Sequence, residues 1–359
     1  MINLLLINWN IERFRMQNYR EKEVIMLDLN LWIDNAKKLG ITDIHIRTGR
    51  ELIGRKGGKI EKIGNGQVFS QNNIIEMIEQ SKLNLSVEDM AKIKKAEFTS
   101  IDTSCKFCNA RVNVFKDING IGLAIRILSE DIPSMDALRL PPTVKKFVTY
   151  ESGLVIISGP TGSGKTTTLA SLLNEISKHQ QKHIITIEDP VEYKIPSVSA
   201  VSLVTQRNVG IDCDSFASGL RDALRQDPDV ILVGEMRDAE TITTAMQAAE
   251  TGHLVFSTLH ASNVVEAVDR FSQYFPAERN SEIRLQLANC LQGIVAQKLL
   301  PGADKINRVA AFEVMLATDA IRAVIRSGKT YQLRDYMHRD AGMNSMDECI
   351  QGLCNKHLI

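Results

Sequence analysis

Residues 153–176, GLVIISGPTGSGKTTTLASLLNEI, decide how the rest of the chain is read. They begin with an apolar run of strand length. They end with Leu169, Leu172, Leu173 and Ile176 spaced i, i+3, i+4, i+7, one face of a helix. Between these, Gly159, Pro160, Thr161, Gly162, Ser163, Gly164, Lys165 and Thr166 fit the spacing Gly-x4-Gly-Lys-Thr, with Thr167 directly after. Glycines at those positions let backbone N–H groups turn inward around phosphate oxygens. Lys165 then reaches the outer phosphates, and the Thr166 hydroxyl is placed to hold Mg²⁺. A flexible surface loop can match such a spacing by accident. The flanking strand and helix argue against accident, because a helix N-terminus adds its positive dipole end to an anion site. The stretch predicts nucleotide binding.

Beyond Pro142 strand-length apolar runs recur: LVIIS (154–158), HIITI (183–187), VILVG (230–234) and HLVFSTL (253–259), alternating with helical periods. That alternation predicts an α/β domain with a mostly parallel sheet covered by helices. Such sheets bind ligands at the carboxyl ends of their strands. Here those ends carry the glycine loop, Glu188-Asp189, Glu235 with Arg237-Asp238, and His260. Structural needs explain any one of them. They do not explain the set.

Hydrolysis of a γ-phosphate requires charge neutralisation, a positioned water and a base. Lys165, Mg²⁺ and the loop amides answer the first need. Glu235 is the first choice to orient and activate water. Glu188 is the second, directly or through metal-bound water, with a cap or turn before Pro190 as its structural alternative. His260 is expected to sense the γ-phosphate or bridge to a neighbouring subunit. For His260, and for His253 at the start of the same strand, the alternative is a packed core histidine. Arg221 and Arg225 are four apart on a helix and either read phosphates or pair with Asp222 and Asp229.

The first third of the chain has a different texture. LNLWIDNAKKLG (29–40) reads as a helix stopped by Gly40, DIHIR (43–47) as a strand, and LIGRKGGKIEKI (52–63) as two short strands. One helix is expected from roughly Asn72 to Lys95. NARVNVFKDINGIGLAIRIL (109–128) predicts a hairpin turning at Asn119-Gly120. With Ile118 and Ile121 flanking that turn, Asn113 faces Arg126 and Arg111 is the diagonal neighbour. Alternation puts both arginines on one sheet face, where they repel unless an anion neutralises them. Arginine fingers donated to another subunit's nucleotide fit that need, and a solvated strand face is the alternative. SEDIPSMDALRLPP (129–142), with three prolines, reads as a linker. The expected division is an extension over 1–27, dispensable if Met26 is the true start, a small α+β domain over 28–130, a linker over 131–142 and the α/β domain over 143–359.

The 359 residues suit two unequal domains, and 44% hydrophobic with 24% charged residues describe an ordinary globular chain. Lys+Arg and Asp+Glu both number 43, so there is no overall electrostatic footprint for nucleic acid. No apolar run approaches a membrane span. MINLLLINWN lacks a basic n-region and is a poor signal peptide. Six cysteines without framework spacing point to a reducing, cytoplasmic compartment. Cys105 and Cys108 form one CxxC without a second pair, and free thiols are the expectation there.

GPTGSGKTTTLASLLNEI (159–176), ITIEDPVEY (185–193), LRDALRQDPDVILVGEMRDAETI (220–242) and AAETGHLVFSTLHA (248–261) resemble the Walker A, Asp-box, Walker B and His-box segments of secretion-superfamily ATPases. The likeness runs from about Leu29 to Ile359 and is strongest to PilT-type retraction ATPases of type IV pili. It implies a C-terminal RecA-like P-loop ATPase domain, a smaller N-terminal PAS-like α+β domain and a homohexameric ring. ATP would sit between the domains, closed by arginines at the Arg111 and Arg126 positions. Glu235 then matches the favoured catalytic carboxylate, Glu188 the Asp box, and His253 and His260 the His box. The strand that normally ends in Asp-Glu has Gly234 in place of the Asp, so Mg²⁺ is left to Thr166, phosphates and waters.

The resemblance further implies a motor peripheral to the inner membrane, acting through a membrane platform protein and alongside other pilus ATPases. The tetracysteine zinc module of assembly and type II secretion relatives is missing after His260, so no zinc is expected. AIRAVIRSGK (320–329) only partly matches the AIRNLIRE segment of retraction ATPases, departing at Ala323, Val324 and Ser327. A DotB-like secretion or conjugation ATPase and an assembly ATPase are therefore the neighbouring readings. From other classes come a RecA-like nucleic-acid motor, disfavoured by the balanced charge, and a non-enzymatic nucleotide switch, disfavoured by the complete set of catalytic groups.

Overall fold

The computed structural model describes residues 29–56, 59–63, 66–81, 83–104, 110–128, 131–197, 202–304 and 307–359. The expected extension over 1–27 and the Cys105/Cys108 pair lie outside the described residues. The described residues form two compact units, with the boundary in sequence at 130/131.

The first unit is a six-stranded antiparallel sheet. Its strands are β1 (Ile41–Arg47), β2 (Ile53–Lys56), β3 (Lys59–Lys62), β4 (Ser100–Ser104), β5 (Ala110–Asp117) and β6 (Gly120–Ile127), ordered β3-β2-β1-β6-β5-β4. Alternate side chains build its core: Ile44 and Ile46, Val112 and Val114, and Leu123 and Ile125 pack with Ile33, Ile74, Met77 and Ile93 from three helices. Those helices are α1 (Leu29–Lys38), α2 (Gln71–Gln80) and α3 (Val87–Lys95).

Two expectations need correction here. The single helix over 72–95 is two, because Ser86 starts a second one. Its hydroxyl accepts from the Asp89 amide at 3.0 Å in a reciprocal capping box. The hairpin turns at Ile118–Asn119, one residue earlier than expected. The Asp117 carboxylate accepts the Asn119 N–H at 2.7 Å and closes that turn. Gly120 belongs to the strand at φ 127, where a Cβ would fall 2.7 Å from the Gln71 side chain and 3.0 Å from that of Thr48. Arg111 therefore lies directly opposite Arg126, and Asn113 opposite Ala124.

The second unit is a seven-stranded sheet made of β7 (Gly153–Ser158), β8 (His183–Glu188), β9 (Leu203–Asn208), β10 (Val230–Val233), β11 (Leu254–Leu259), β12 (Leu291–Pro301) and β13 (Arg308–Leu316). The order is β13-β12-β7-β11-β10-β8-β9, parallel throughout except for β12 with β13. Each inner strand is buried on both faces. Val155, Ile157, Ile184 and Phe256 meet Leu169, Leu172, Leu173 and Ile176 of helix α4 (Lys165–His179), as the spacing of those four residues predicts. Ile156, Ile187, Val233 and Val255 meet the helices of the opposite face, among them α5 (Phe216–Ala223), α6 (Ala239–Glu250), α7 (Val264–Gln273) and α8 (Asn280–Cys290). A parallel sheet covered on both faces carries its loops at one rim, and this one carries its polar groups there.

The stretch over 131–142 does not behave as a linker. Leu140 is buried with Phe147, and Ile132, Met135 and Leu138 pack on the same cluster, so it belongs to the second unit. No helix among the described residues is long and apolar enough to cross a membrane.

Candidate active site

Parallel pairing sends the carboxyl ends of β7, β8, β10 and β11 to one rim, and three of the expected groups converge there. β7 delivers the loop 159–164, with Gly159 at φ 149, Gly162 at φ 76 and Gly164 at φ 90. Only glycine adopts such angles without strain. Gly164 is the N-cap of α4 and supplies no side chain to the free helix amides. Ser163 Oγ is buried without a partner among the described residues. Unfilled donors facing the inside of a glycine turn suit a phosphate chain. Lys165 Nζ donates to the loop's own carbonyls, Gly159 O at 2.8 Å and Pro160 O at 3.2 Å. Burial lowers its pKa and the charge on Glu235 opposes that shift.

Glu235 follows β10 by two residues and is held at both oxygens. Arg237 Nε donates to Oε2 at 2.7 Å, and His260 Nε2 lies 3.3 Å from Oε1. Burial first, and then Lys165, lower the His260 pKa, so the ring is neutral at pH 7. The two segments carrying this pair are laced together. Thr258 Oγ1 donates to Gly234 O, and Ser158 Oγ, at the end of β7, donates to Ala261 O. Arg237 also reaches Asp189 at 3.5 Å and stacks over Phe216. The neighbouring Asp238 caps α6 by accepting from the Thr241 amide at 2.7 Å, a structural post.

Glu188 ends β8 on the same rim but is turned inward, 7% exposed. Thr186 Oγ1 donates to it at 2.7 Å and Gln206 Nε2 at 3.2 Å. Burial outweighs both bonds and pushes its carboxyl up to about 7. Gln206 also holds Tyr193 O, and the Tyr193 hydroxyl lies 3.0 Å from Thr167 Oγ1. Tyr193 thus spans from the glycine loop's helix, through its hydroxyl, to the residue that holds the buried acid, through its backbone carbonyl. Gly234 stands where the Walker B pattern leads one to expect a carboxylate, and its surroundings are tight. A Cβ there would stand 3.1 Å from Ile187 O and 3.3 Å from Glu188 Cα. Thr166 lies in the first turn of α4.

The remaining expected residues lie elsewhere. His253 precedes β11, at the end of the strand opposite His260, with Nδ1 2.9 Å from Ala248 O. Arg221 pairs with Glu240, whereas Asp222 pairs with Arg207 and Asp229 with Lys182, so neither expected partner is used. Arg225 falls beyond the end of α5 and is exposed. Arg111 and Arg126 share the open face of the first unit, as expected. The anion that balances Arg126 is internal, since its Nε donates to Asp43 at 2.9 Å.

The sequence reading missed a cleft of about 650 Å³ that opens beside Gly164 and Thr167 and is walled by Leu138, Arg139, Asn307 and Arg308. It also missed Gln297, which with Lys298 breaks the apolar run of β12; that break was the available signal.

A model of the family described as type II/IV secretion system protein matches residues 19–351. The type IV pilus retraction ATPase PilT of Pseudomonas aeruginosa is 37% identical over 93% of this chain and 96% of its own length. A crystal structure of the pilus retraction motor PilT with bound ADP matches with a TM-score of 0.83 and 37% identity, covering 92% of this chain and 94% of the other. The ATPase DotB of Legionella pneumophila matches with a TM-score of 0.78 and 27% identity, covering 92% of each chain.

Proposed function

The chain belongs to the type II/IV secretion system protein family, and from that premise we propose that it is a mechanochemical ATPase whose hydrolysis of ATP powers retraction of type IV pili. The observation that carries this reading is Glu235, gripped by Arg237 and His260 on the rim that bears Lys165. A carboxylate fixed at both oxygens next to a phosphate loop is placed to orient a water rather than to bind phosphate, which it would repel. Oε1, facing the longer contact, takes the proton of the attacking water. Neutral His260 holds that oxygen in place without competing for its charge.

Lys165 leaves the loop carbonyls for the outer phosphates, and the loop amides with the N-terminus of α4 neutralise the rest. Mg²⁺, held by the Thr166 hydroxyl and the phosphates, adds charge neutralisation when bound. The cleft walled by Arg139, Asn307 and Arg308 is large enough for base and ribose. We assign the assembly as a homohexamer peripheral to the inner membrane, working on a platform protein, with Arg111 and Arg126 turned to a neighbour's nucleotide. Glu188, too buried to meet water directly, acts on the site through Gln206, Tyr193 and Thr167.

The likeness to DotB favours a second reading, a secretion ATPase on the same core. Glu235→Gln tests both. The purified variant should bind ATP and lower phosphate release by ~10²–10⁴-fold, the usual worth of a positioned base. An undiminished rate would reject the assignment. In cells the same substitution should leave excess surface pili. Bald cells would indicate assembly, and normal piliation with failed secretion would favour the second reading.

A further inference from the structure

We propose that Gln297 is the positioning residue that sets the glycine loop, aiming the Gly164 amide at the phosphates from a strand well over a hundred residues away in sequence. Gln297 lies on β12, which runs parallel to β7, and it is 3% exposed. Its carboxamide makes two bonds of opposite sense. Nε2 donates to Ser163 O at 2.7 Å, and Oε1 accepts from Thr168 Oγ1 at 2.8 Å. The pair fixes the amide, since the flipped orientation would set its oxygen against the Ser163 carbonyl.

The consequence reaches the ligand side of the loop. Across a trans peptide the carbonyl and the next N–H point in opposite directions. Holding Ser163 O down on Gln297 therefore turns the Gly164 N–H away from the strand and toward the anion position. Both outer glycines of the loop lie against this residue. A Cβ on Gly159 would come 2.4 Å from Gln297 O, and one on Gly164 would come 2.9 Å from Nε2. The loop's shape is thus templated by β12 as much as by its own glycines.

This inference rests on the reading of the loop as a nucleotide site. The experiment measures ADP affinity, and the melting temperature without nucleotide, for the full-length wild type, Lys165→Ala, Gln297→Leu and Gln297→Glu. Gln297→Leu should weaken ADP binding at least tenfold while still melting cooperatively. Gln297→Glu supplies a readout that packing alone would not move. As a carboxylate, at pH 8, it faces the Ser163 carbonyl and spoils the loop. As a neutral acid, near pH 5.5, it accepts from Thr168 and donates to Ser163 O, reproducing glutamine.

ADP affinity of Gln297→Glu relative to wild type should therefore recover several-fold between pH 8 and pH 5.5, with no such recovery in Gln297→Leu. The charged or titratable side chains that line the cleft with this carboxamide are Arg139, Asp304, Arg308 and His357, with Lys165 next to Gly164, and the wild-type reference carries all of them. Wild-type affinity in both variants at pH 8, or a ratio for Gln297→Glu that does not change with pH, would overturn the proposal. Wild type that binds no ADP would instead overturn the nucleotide reading.

Discussion

Glu188 keeps a proton to about pH 7 because burial costs its charged form more than Thr186 and Gln206 return. A carboxyl whose pKa rises on folding binds its proton more tightly in the folded chain. Its contribution is complete below pH 4.5 and is lost as the pH climbs toward 7. Replacing it by glutamine removes that loss. Stability of the wild type relative to Glu188→Gln should fall by about 3 kcal/mol between pH 4.5 and pH 8, at 1.36 kcal/mol per pKa unit. Denaturant midpoints at fixed protein concentration measure it, and parallel curves for the two proteins would show that Glu188 is ionised throughout. The positions of single residues were legible in sequence where they depend on near neighbours. Lys165, Thr166, Glu235 and His260 could be placed by counting from strand ends. Gln297 could not, because its partners are fixed by β12 lying beside β7, and no local pattern records that pairing.

Elements were legible wherever periodicity was strong, as in α4 and four of the five inner strands, whose apolar runs predicted a sheet covered by helices. They were misread where a short polar side chain overrides the pattern. Ser86 splits one expected helix into two, and Asp117 moves a hairpin turn by one residue. Asp238 is a third case, since its place at the end of a strand suggested chemistry and its bonds to the Thr241 amide and hydroxyl make it a cap. Asp238→Ala should cost about 1 kcal/mol of stability, the usual worth of an N-cap. Asp238→Asn should recover most of it, because an amide oxygen caps nearly as well. Urea titration of the three proteins decides this. A loss of hydrolysis in Asp238→Asn with stability intact would return Asp238 to the active site.

The two-part organisation followed from the change of texture near residue 142, but the segment 131–142 was assigned by its prolines when its apolar residues decide where it packs. The largest feature outside the reach of one chain is the role of the exposed arginines. Arg126 already has Asp43, whereas Arg111 shows no ion pair among the described residues, and in the proposed ring a neighbour's phosphates would have to compete with that carboxylate. If these side chains complete a neighbour's site, each interface of the ring draws its loop from one protomer and its arginines from the other. Arg111→Ala/Arg126→Ala and Lys165→Ala should then each be inactive alone. Co-expressed at equal levels they should regain about a quarter of wild-type phosphate release, because in a head-to-tail ring that share of interfaces joins an intact loop to intact arginines. Arginines serving their own chain's nucleotide would give no recovery, because every protomer would then carry one defect. The recovered rate should also fall when wild-type-like interfaces are diluted by excess Lys165→Ala, which separates exchange between protomers from reversion of either variant.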